Sequence, residues 1–129
     1  MRLHPDSLGG GAPALVLMCA RPRLAAGRAP RAAAVERAQA AFELEQALMA
    51  CALEDAEAWG GPVVLALAQA TDLPWASAIA RRDWSIVGQA SGNSGERVNA
   101  VDALLRRHGA RSLVFLGTNA PIHSESDYE

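Results

Sequence analysis

Two clusters of residues in this 129-residue chain have the types and spacing expected of an anion-binding edge. The first cluster is a glycine-rich turn before a predicted helix, which contains Gly92, Gly95, Glu96 and Arg97. The second is Thr118 and Asn119, which follow an apolar run. In open α/β sheets, ligands bind at helix N-termini and at the carboxyl ends of strands, so we expect both clusters at the same edge.

Each residue type in the turn has a chemical use and an ordinary structural alternative. Gly92 and Gly95 would let the backbone approach a phosphate closely, and the first N–H groups of the helix would donate to it. An ordinary strand-to-helix turn has the same composition. Glu96 would complement the helix dipole without a catalytic role, and Arg97 would either pair locally or reach the ligand edge.

A third cluster is an arginine-rich loop at residues 21–31, after the first apolar run. A guanidinium group binds phosphate through two parallel hydrogen bonds, so Arg21, Arg23, Arg28 and Arg31 could supply the basic part of a phosphate site. Of these we assign the contacts to Arg21, Arg28 and Arg31. A solvated loop is the alternative. All 12 basic residues of the chain are arginines, and a coding bias toward GC-rich codons also explains that composition.

Composition limits the class of protein. A length of 129 residues with 50% hydrophobic content suits one domain with a single core. The formal net charge of −2 argues against nucleic-acid binding. No run approaches the roughly 18 apolar residues of a membrane span. Cys19 and Cys51 are far apart and have apolar neighbours, so we expect reduced thiols and a cytoplasmic location.

The alternation of apolar runs and helical patterns predicts an α/β fold. Four apolar runs predict buried strands, at residues 14–20, 63–68, 84–89 and 112–117. Three helical patterns lie between them, at residues 32–59, 71–82 and 94–108. Asp72 or Thr71 would cap the second helix, with Pro74 in its first turn. Nearly continuous apolar strands predict a mainly parallel sheet that is covered on both faces.

The same patterns divide the chain into three parts. We expect a flexible leader at residues 1–13, because prolines and a triple glycine interrupt it. The α/β domain spans residues 14–121, and an acidic tail covers residues 122–129.

Together these motifs resemble a bacterial family with a glycosyltransferase-A-like fold, the radical-SAM/selenodomain-associated transferases of uncertain function. The resemblance covers about residues 14–121. The matching residues are Ala20, Arg21, Trp84, Gln89, Gly92, Gly95, Glu96, Arg97, Gly117 and Pro121. The chain departs from the family pattern at the loop, which lacks the family's lysine whether it aligns through Gly27 or through Arg31. Asn93 and Asn119 stand where the family has aspartates.

The resemblance implies a Rossmann-like, three-layer half of the glycosyltransferase-A fold, with the first strand central and the fourth beside it. It implies a glycosyltransferase that uses nucleotide-diphospho-sugars, or a nucleotidyltransferase, with a nucleotide or nucleotide sugar as ligand. The family also implies Mg²⁺ or Mn²⁺. Asn119 offers such a hard cation only a neutral oxygen, so we expect impaired or absent metal-dependent catalysis and assign no metal ligand.

Two further expectations follow from this resemblance. The alternative function is a noncatalytic domain of the same fold that binds a nucleotide or a protein. In this half of the fold the edge of the fourth strand would be unpaired, and an unpaired apolar edge favours association. We therefore expect a homodimer, with no nucleic-acid or membrane partner.

Overall fold

The computed structural model describes residues 2–4, 8–23 and 32–117 of the chain. These described ranges contain four strands, namely β1 (Ala14–Cys19), β2 (Val63–Leu67), β3 (Ser85–Gly88) and β4 (Leu113–Gly117). In the same ranges the strands alternate with three helices, namely α1 (Ala32–Glu57), α2 (Leu73–Ile79) and α3 (Ser94–Arg107). The four predicted strands and three predicted helices are confirmed, with α2 shorter than expected. It ends early because Ala80 adopts an extended conformation, with ψ at 146°.

The four strands form one parallel sheet in the order β3-β2-β1-β4. Leu15 of β1 lies opposite Val63 of β2 on one side and Val114 of β4 on the other. The predicted parallel sheet and the central place of β1 are therefore confirmed, and the layout is compatible with a Rossmann-like fold. Strands β2 and β3 lie on one side of β1, and β4 lies on its other side. The topological switch point therefore lies between β1 and β4.

Side chains of the buried strands alternate between two apolar cores, one on each face of the sheet. Leu15, Leu17 and Cys19 belong to the core that includes side chains of α1 and α2. Val16 and Val64 belong to the opposite core, which includes Val101 and Leu105 of α3. Fully buried apolar side chains of this size each contribute about 1.5–3 kcal/mol relative to exposure.

Helix α1 is long relative to the sheet. Its 26 residues span roughly 39 Å at 1.5 Å per residue, whereas a five-residue strand spans about 17 Å. Among the side chains of α1 that the structure describes, Met49, Ala52 and Ala56 are buried, and all three lie in its second half. The same apolar stripe continues toward the N-terminus of the helix, where Val35 is 50% exposed. The first half of α1 therefore extends beyond the carboxyl edge of the sheet.

The described part of the leader contacts the edge strand β3. Arg2 and Ile86 form an antiparallel bridge, with backbone hydrogen bonds of 3.0 and 2.7 Å. The Arg2 side chain donates to the carbonyl of Trp84 at 2.8 Å, and the backbone N–H of His4 donates to Ser85 Oγ at 2.9 Å. Leu8 is 1% exposed in the α3 core. These contacts anchor residues 2–4 and 8 on the domain and cover the outer edge of β3.

None of the helices in the described part of the chain has the length and apolar character that crossing a membrane requires.

Candidate anion-binding edge

The carboxyl edge of the sheet holds the described members of the predicted site. Arg21 lies two residues after the end of β1. Gly92 lies in the connection from β3 to α3, and Gly95, Glu96 and Arg97 lie in the first turn of α3. Four predicted residues fall outside the described part of the chain, namely Arg28, Arg31, Thr118 and Asn119. Arg21 and the glycine-rich turn thus follow the carboxyl ends of β1 and β3, which have β2 between them, and the structure provides no geometry for the other four residues.

A buried aspartate that sequence analysis treated only as a helix cap lies at this edge. Asp72 is 1% exposed, and its Oδ2 accepts a hydrogen bond from the backbone N–H of Arg21 at 3.0 Å. The Arg23 guanidinium forms an ion pair with Oδ1 through Nη2, and its Nη1 lies 3.5 Å from Oδ2. The carboxylate therefore holds the loop after β1 through one backbone contact and one side-chain contact.

This arrangement corrects the predicted capping role of Asp72. The residue stands at the N-cap position of α2, but its side chain makes no cap hydrogen bond. The physical reason is the backbone conformation. Asp72 ends a 3₁₀ turn, Ala70–Asp72, and keeps helical dihedrals of φ −84° and ψ 0°, whereas a capping residue is normally extended. The carboxylate is bonded to the β1 loop instead.

Opposing effects set the pKa of Asp72. Burial alone would raise this pKa, because desolvation disfavours the carboxylate. The hydrogen bonds from the Arg21 backbone and from Arg23, with the charges of both guanidinium groups, outweigh burial and lower the pKa below its ordinary value. Asp72 is therefore ionised at neutral pH and neutralises Arg23. The Arg21 side chain is exposed and forms no ion pair with any described residue.

Cys19, the last residue of β1, lies close to this aspartate and is not a nucleophile. Burial first, and the negative charge of Asp72 second, raise the pKa of the Cys19 thiol to about 12. The thiol therefore stays protonated at neutral pH, whereas the thiolate is the reactive form. Cys51 lies exposed on α1, and both cysteines are free.

The glycine-rich turn is closed by its own side chains. Asn93 Oδ1 accepts from the backbone N–H of Glu96 at 2.9 Å, and the Glu96 carboxylate lies 3.4 Å from the Asn93 nitrogen. These two contacts form a capping box at the start of α3. Arg97 Nε donates to the carbonyl of Gly92 at 2.9 Å. Of the alternatives for this turn, the ordinary strand-to-helix turn accounts for Glu96, Arg97 and the two engaged N–H groups.

The two glycines of the turn differ in what the backbone requires. Gly92 has a φ of +126°, which side chains other than glycine rarely adopt, and an added Cβ would lie 3.0 Å from the Glu96 carboxyl carbon. A Cβ on Gly95 would meet its nearest neighbour at 3.5 Å, an ordinary contact. Gly92 is therefore required by the turn itself, whereas Gly95 is not required by local packing.

Two other residues that match the family pattern have structural roles. Gln89 continues the β2–β3 ladder, with its backbone N–H donating to Leu67 and its side-chain amide donating to Ala66, both at 2.8 Å. Trp84 is 3% exposed in the core beneath α1 and α2. These contacts of Gln89 therefore join β3 to β2, and Trp84 contributes to the core.

An apolar groove lies between α1 and α2 on the same side of the sheet. Its volume is about 360 Å³, within the usual range of ligand pockets of about 300–1,000 Å³. The loop after β1 contributes Arg21 and Pro22 to its lining. The helices contribute an aromatic and aliphatic surface that includes Phe42, Met49, Leu53, Trp75 and Ile79.

The described donor atoms do not fit a divalent metal. No three His, Cys, Asp or Glu side chains lie close enough together for a metal site in the described ranges. Asp72 is the buried carboxylate at this edge, and both of its oxygens already have arginine partners. Mg²⁺ and Mn²⁺ need several oxygen ligands, so this part of the edge does not supply a site for the cation that the family implies.

No protein-family model, curated protein or solved structure matches the chain significantly. The resemblance to the transferase family therefore rests on the motif residues alone.

Proposed function

We propose that this chain is a nucleotide-binding α/β domain of a transferase lineage. Its ligand is a nucleotide or nucleotide sugar, bound through its phosphates at the switch point between β1 and β4. The observation that carries this proposal is the strand order β3-β2-β1-β4, in which the central strand β1 borders the switch point and Arg21 lies two residues after the end of that strand. The finer assignment to a glycosyltransferase-A fold comes from the motif resemblance.

The charges at this edge support an anionic ligand. Arg23 is neutralised by Asp72, but Arg21 is exposed and forms no ion pair with the described residues. The hydrogen bond from the Arg21 backbone to Asp72 holds the loop in place, which reduces the entropy lost when a ligand binds. In this proposal Arg28, Arg31, Thr118 and Asn119 add further phosphate contacts.

We also propose that metal-dependent catalysis is impaired or absent. Asn119 replaces the aspartate of the family pattern, and a neutral amide is a weaker ligand for Mg²⁺ or Mn²⁺ than a carboxylate. The engagement of Asp72 with two arginines supports the same reading. The contacts of Asp72 with the two arginines also favour the alternative function, a noncatalytic domain that binds a nucleotide or a protein.

Thermal unfolding with and without Mn²⁺ separates the two functions. A ligand that binds only the folded state raises stability by RT ln(1 + [L]/Kd), or about 2.7 kcal/mol at a hundredfold excess over Kd. Stabilisation by nucleoside diphosphates that requires Mn²⁺ would indicate a metal-dependent transferase. Stabilisation without the metal would indicate the noncatalytic binding domain. No stabilisation in either condition would contradict nucleotide binding.

A cytoplasmic location is part of the proposal. Both cysteines are free, with Cys19 buried and Cys51 exposed on a helix. Unpaired thiols are typical of reducing compartments.

A further inference from the structure

We propose that the groove between α1 and α2 is a second ligand site, which adjoins the proposed nucleotide site and shares Arg21 with it, and that its ligand is a carboxylic acid with an apolar chain or ring. The apolar part lies between the two helices, and the carboxylate pairs with the guanidinium of Arg21. The lining and the charge at the groove carry this assignment.

The lining has the composition of a small-molecule site. It is formed by apolar and aromatic side chains, with Arg21 and Gln46 as the two polar exceptions. Such a surface with a few placed polar groups is typical of pockets that bind apolar ligands and orient one polar end. Phe42 and Trp75 are only partly buried, so a ligand between them would remove apolar surface from water.

The charge at the groove selects a monoanion. Within the part of this loop that the structure describes, the Arg23 charge is neutralised by Asp72, which leaves the Arg21 guanidinium as the cation in the lining. A carboxylate carries one negative charge and matches the planar guanidinium with two parallel hydrogen bonds. A phosphate monoester carries about −1.5 to −2 charges at neutral pH and would need a second cation. With one cation among its described lining residues, the groove itself therefore suits a carboxylate, whereas the phosphates of a nucleotide need the further arginines proposed above.

The backbone of Arg21 is held in place beside the groove. Asp72 accepts from the Arg21 backbone at 3.0 Å, so the loop is held where Arg21 leaves β1. Arg21 and Pro22 then lie against the apolar surface of α1 and α2 as part of the lining. A site whose cation and apolar surface are already in place loses less entropy on binding.

Nuclear magnetic resonance of the whole chain tests this site with decanoate below its micelle concentration as the probe. The three tryptophans give three indole N–H signals, and a Trp75→Phe variant assigns the one at the groove. We expect decanoate to shift the Trp75 signal and to leave the signals of Trp59 and Trp84 in place. Decyltrimethylammonium, which has the same chain and the opposite charge, should bind at least tenfold more weakly. Decyl phosphate should bind no more tightly than decanoate.

Two variants locate the binding, and a third is the matched control. Ala50 lines the groove and is exposed, so Ala50→Phe should fill it and abolish the decanoate shift. Arg21→Ala should weaken binding about tenfold, the loss expected for one charge-assisted hydrogen bond that is partly screened. Ala40 is exposed on the same helix and outside the lining, so Ala40→Phe should leave the affinity unchanged.

Several results would overturn the groove site. They are an unmoved Trp75 signal in the wild type, equal decanoate binding in Ala50→Phe and the wild type, and tighter binding of decyl phosphate than of decanoate. Nucleotide binding gives an independent outcome. If Ala50→Phe loses decanoate but keeps nucleoside diphosphates, the apolar groove is not part of the nucleotide site. If it loses both together, nucleotides occupy the groove and the assignment of a second site is wrong.

Discussion

The carboxylate of Asp72, in the turn after β2, accepts a hydrogen bond from the backbone N–H of Arg21, in the loop after β1, at 3.0 Å. Fifty-one positions separate these residues in the chain, yet the contact joins the loops that follow two neighbouring strands. Asp72 thereby neutralises Arg23 and holds the backbone from which the Arg21 side chain extends. The candidate edge depends on this one buried carboxylate.

Asp72→Asn should lower the free energy of unfolding at neutral pH, and that free energy should then depend less on pH in the acid range. The pKa of Asp72 is lowered in the folded state, so the stability it provides is present above the unfolded pKa of about 3.9 and is lost as the pH falls through the folded pKa. The variant replaces a charged hydrogen-bond acceptor by a neutral amide and leaves Arg23 without its ion pair, and we expect a loss of about 1–3 kcal/mol. Urea unfolding of wild type and variant at several pH values measures both effects.

Asp83→Asn is the matched control, because Asp83 is an exposed aspartate in the α2–β3 connection. Its free energy of unfolding should lie within about 0.5 kcal/mol of the wild type at neutral pH, as for most surface substitutions. If the free energy of unfolding falls with pH in the same way in the wild type and in Asp72→Asn, from pH 7 down to acid, the role of the ionised carboxylate is contradicted.

The sheet could be predicted from the sequence because its strands are buried on both faces. Residues such as Val16, Leu65 and Ile86 lie in short apolar runs with turn residues on either side, and that local pattern is sufficient to predict parallel strands. The role of Asp72 could not be predicted. An aspartate before a helix that begins with Pro74 has the local pattern of a cap, and its partners lie far away in the chain.

The glycine-rich turn contained a signal that could have decided between its two alternatives. Asn93 is followed three residues later by Glu96, which is the spacing of a capping box. In contrast, the apolar stripe of α1, which includes Val35 and Met49, does not by itself show how much of the helix is covered. Val35 is 50% exposed because α1 is longer than the sheet beneath it, and strand lengths and helix lengths are set independently in the sequence.

The two cysteines should differ strongly in reactivity toward a thiol reagent. Cys51 is exposed, whereas Cys19 is buried with its pKa raised to about 12. We expect one rapidly labelled thiol in the native protein at neutral pH and two after denaturation. Cys51→Ser should remove the rapid phase and Cys19→Ser should retain it. A rapid phase that persists in Cys51→Ser would show that Cys19 is accessible and contradict its buried position.

The outer edge of β4 should mediate a homodimer. Among the described residues β4 pairs only with β1, and Val114 is 44% exposed, whereas Arg2 covers the opposite edge of the sheet at β3. One open edge favours a closed pair over an extended chain of subunits. Light scattering should show a dimer for the wild type and a monomer for Val114→Lys. A control change on α3, Asn99→Lys, should leave the dimer intact, and a wild-type monomer at high micromolar concentration would contradict this edge.

Asn119→Asp should strengthen Mn²⁺ binding, because a carboxylate replaces a neutral amide. Calorimetric titration of Mn²⁺ into wild type and variant measures the difference. Asn99→Asp adds the same charge on the exposed surface of α3 and should bind the metal like the wild type. Equal affinity in Asn119→Asp and the wild type would mean that residue 119 does not contribute to a cation site.

The central claim is that Arg21 binds the phosphates of a nucleotide, and calorimetric titration of nucleoside diphosphates without metal at low salt tests it most directly. We expect measurable binding that weakens as salt rises, since exposed charges are screened. Arg21→Ala should lose about tenfold in affinity without unfolding, from a charge-assisted contact worth about 1.5–3 kcal/mol before screening. Arg107→Ala, an exposed change in the last turn of α3, should bind like the wild type. Wild-type protein that binds no nucleoside diphosphate, or equal affinity in Arg21→Ala, would contradict the account.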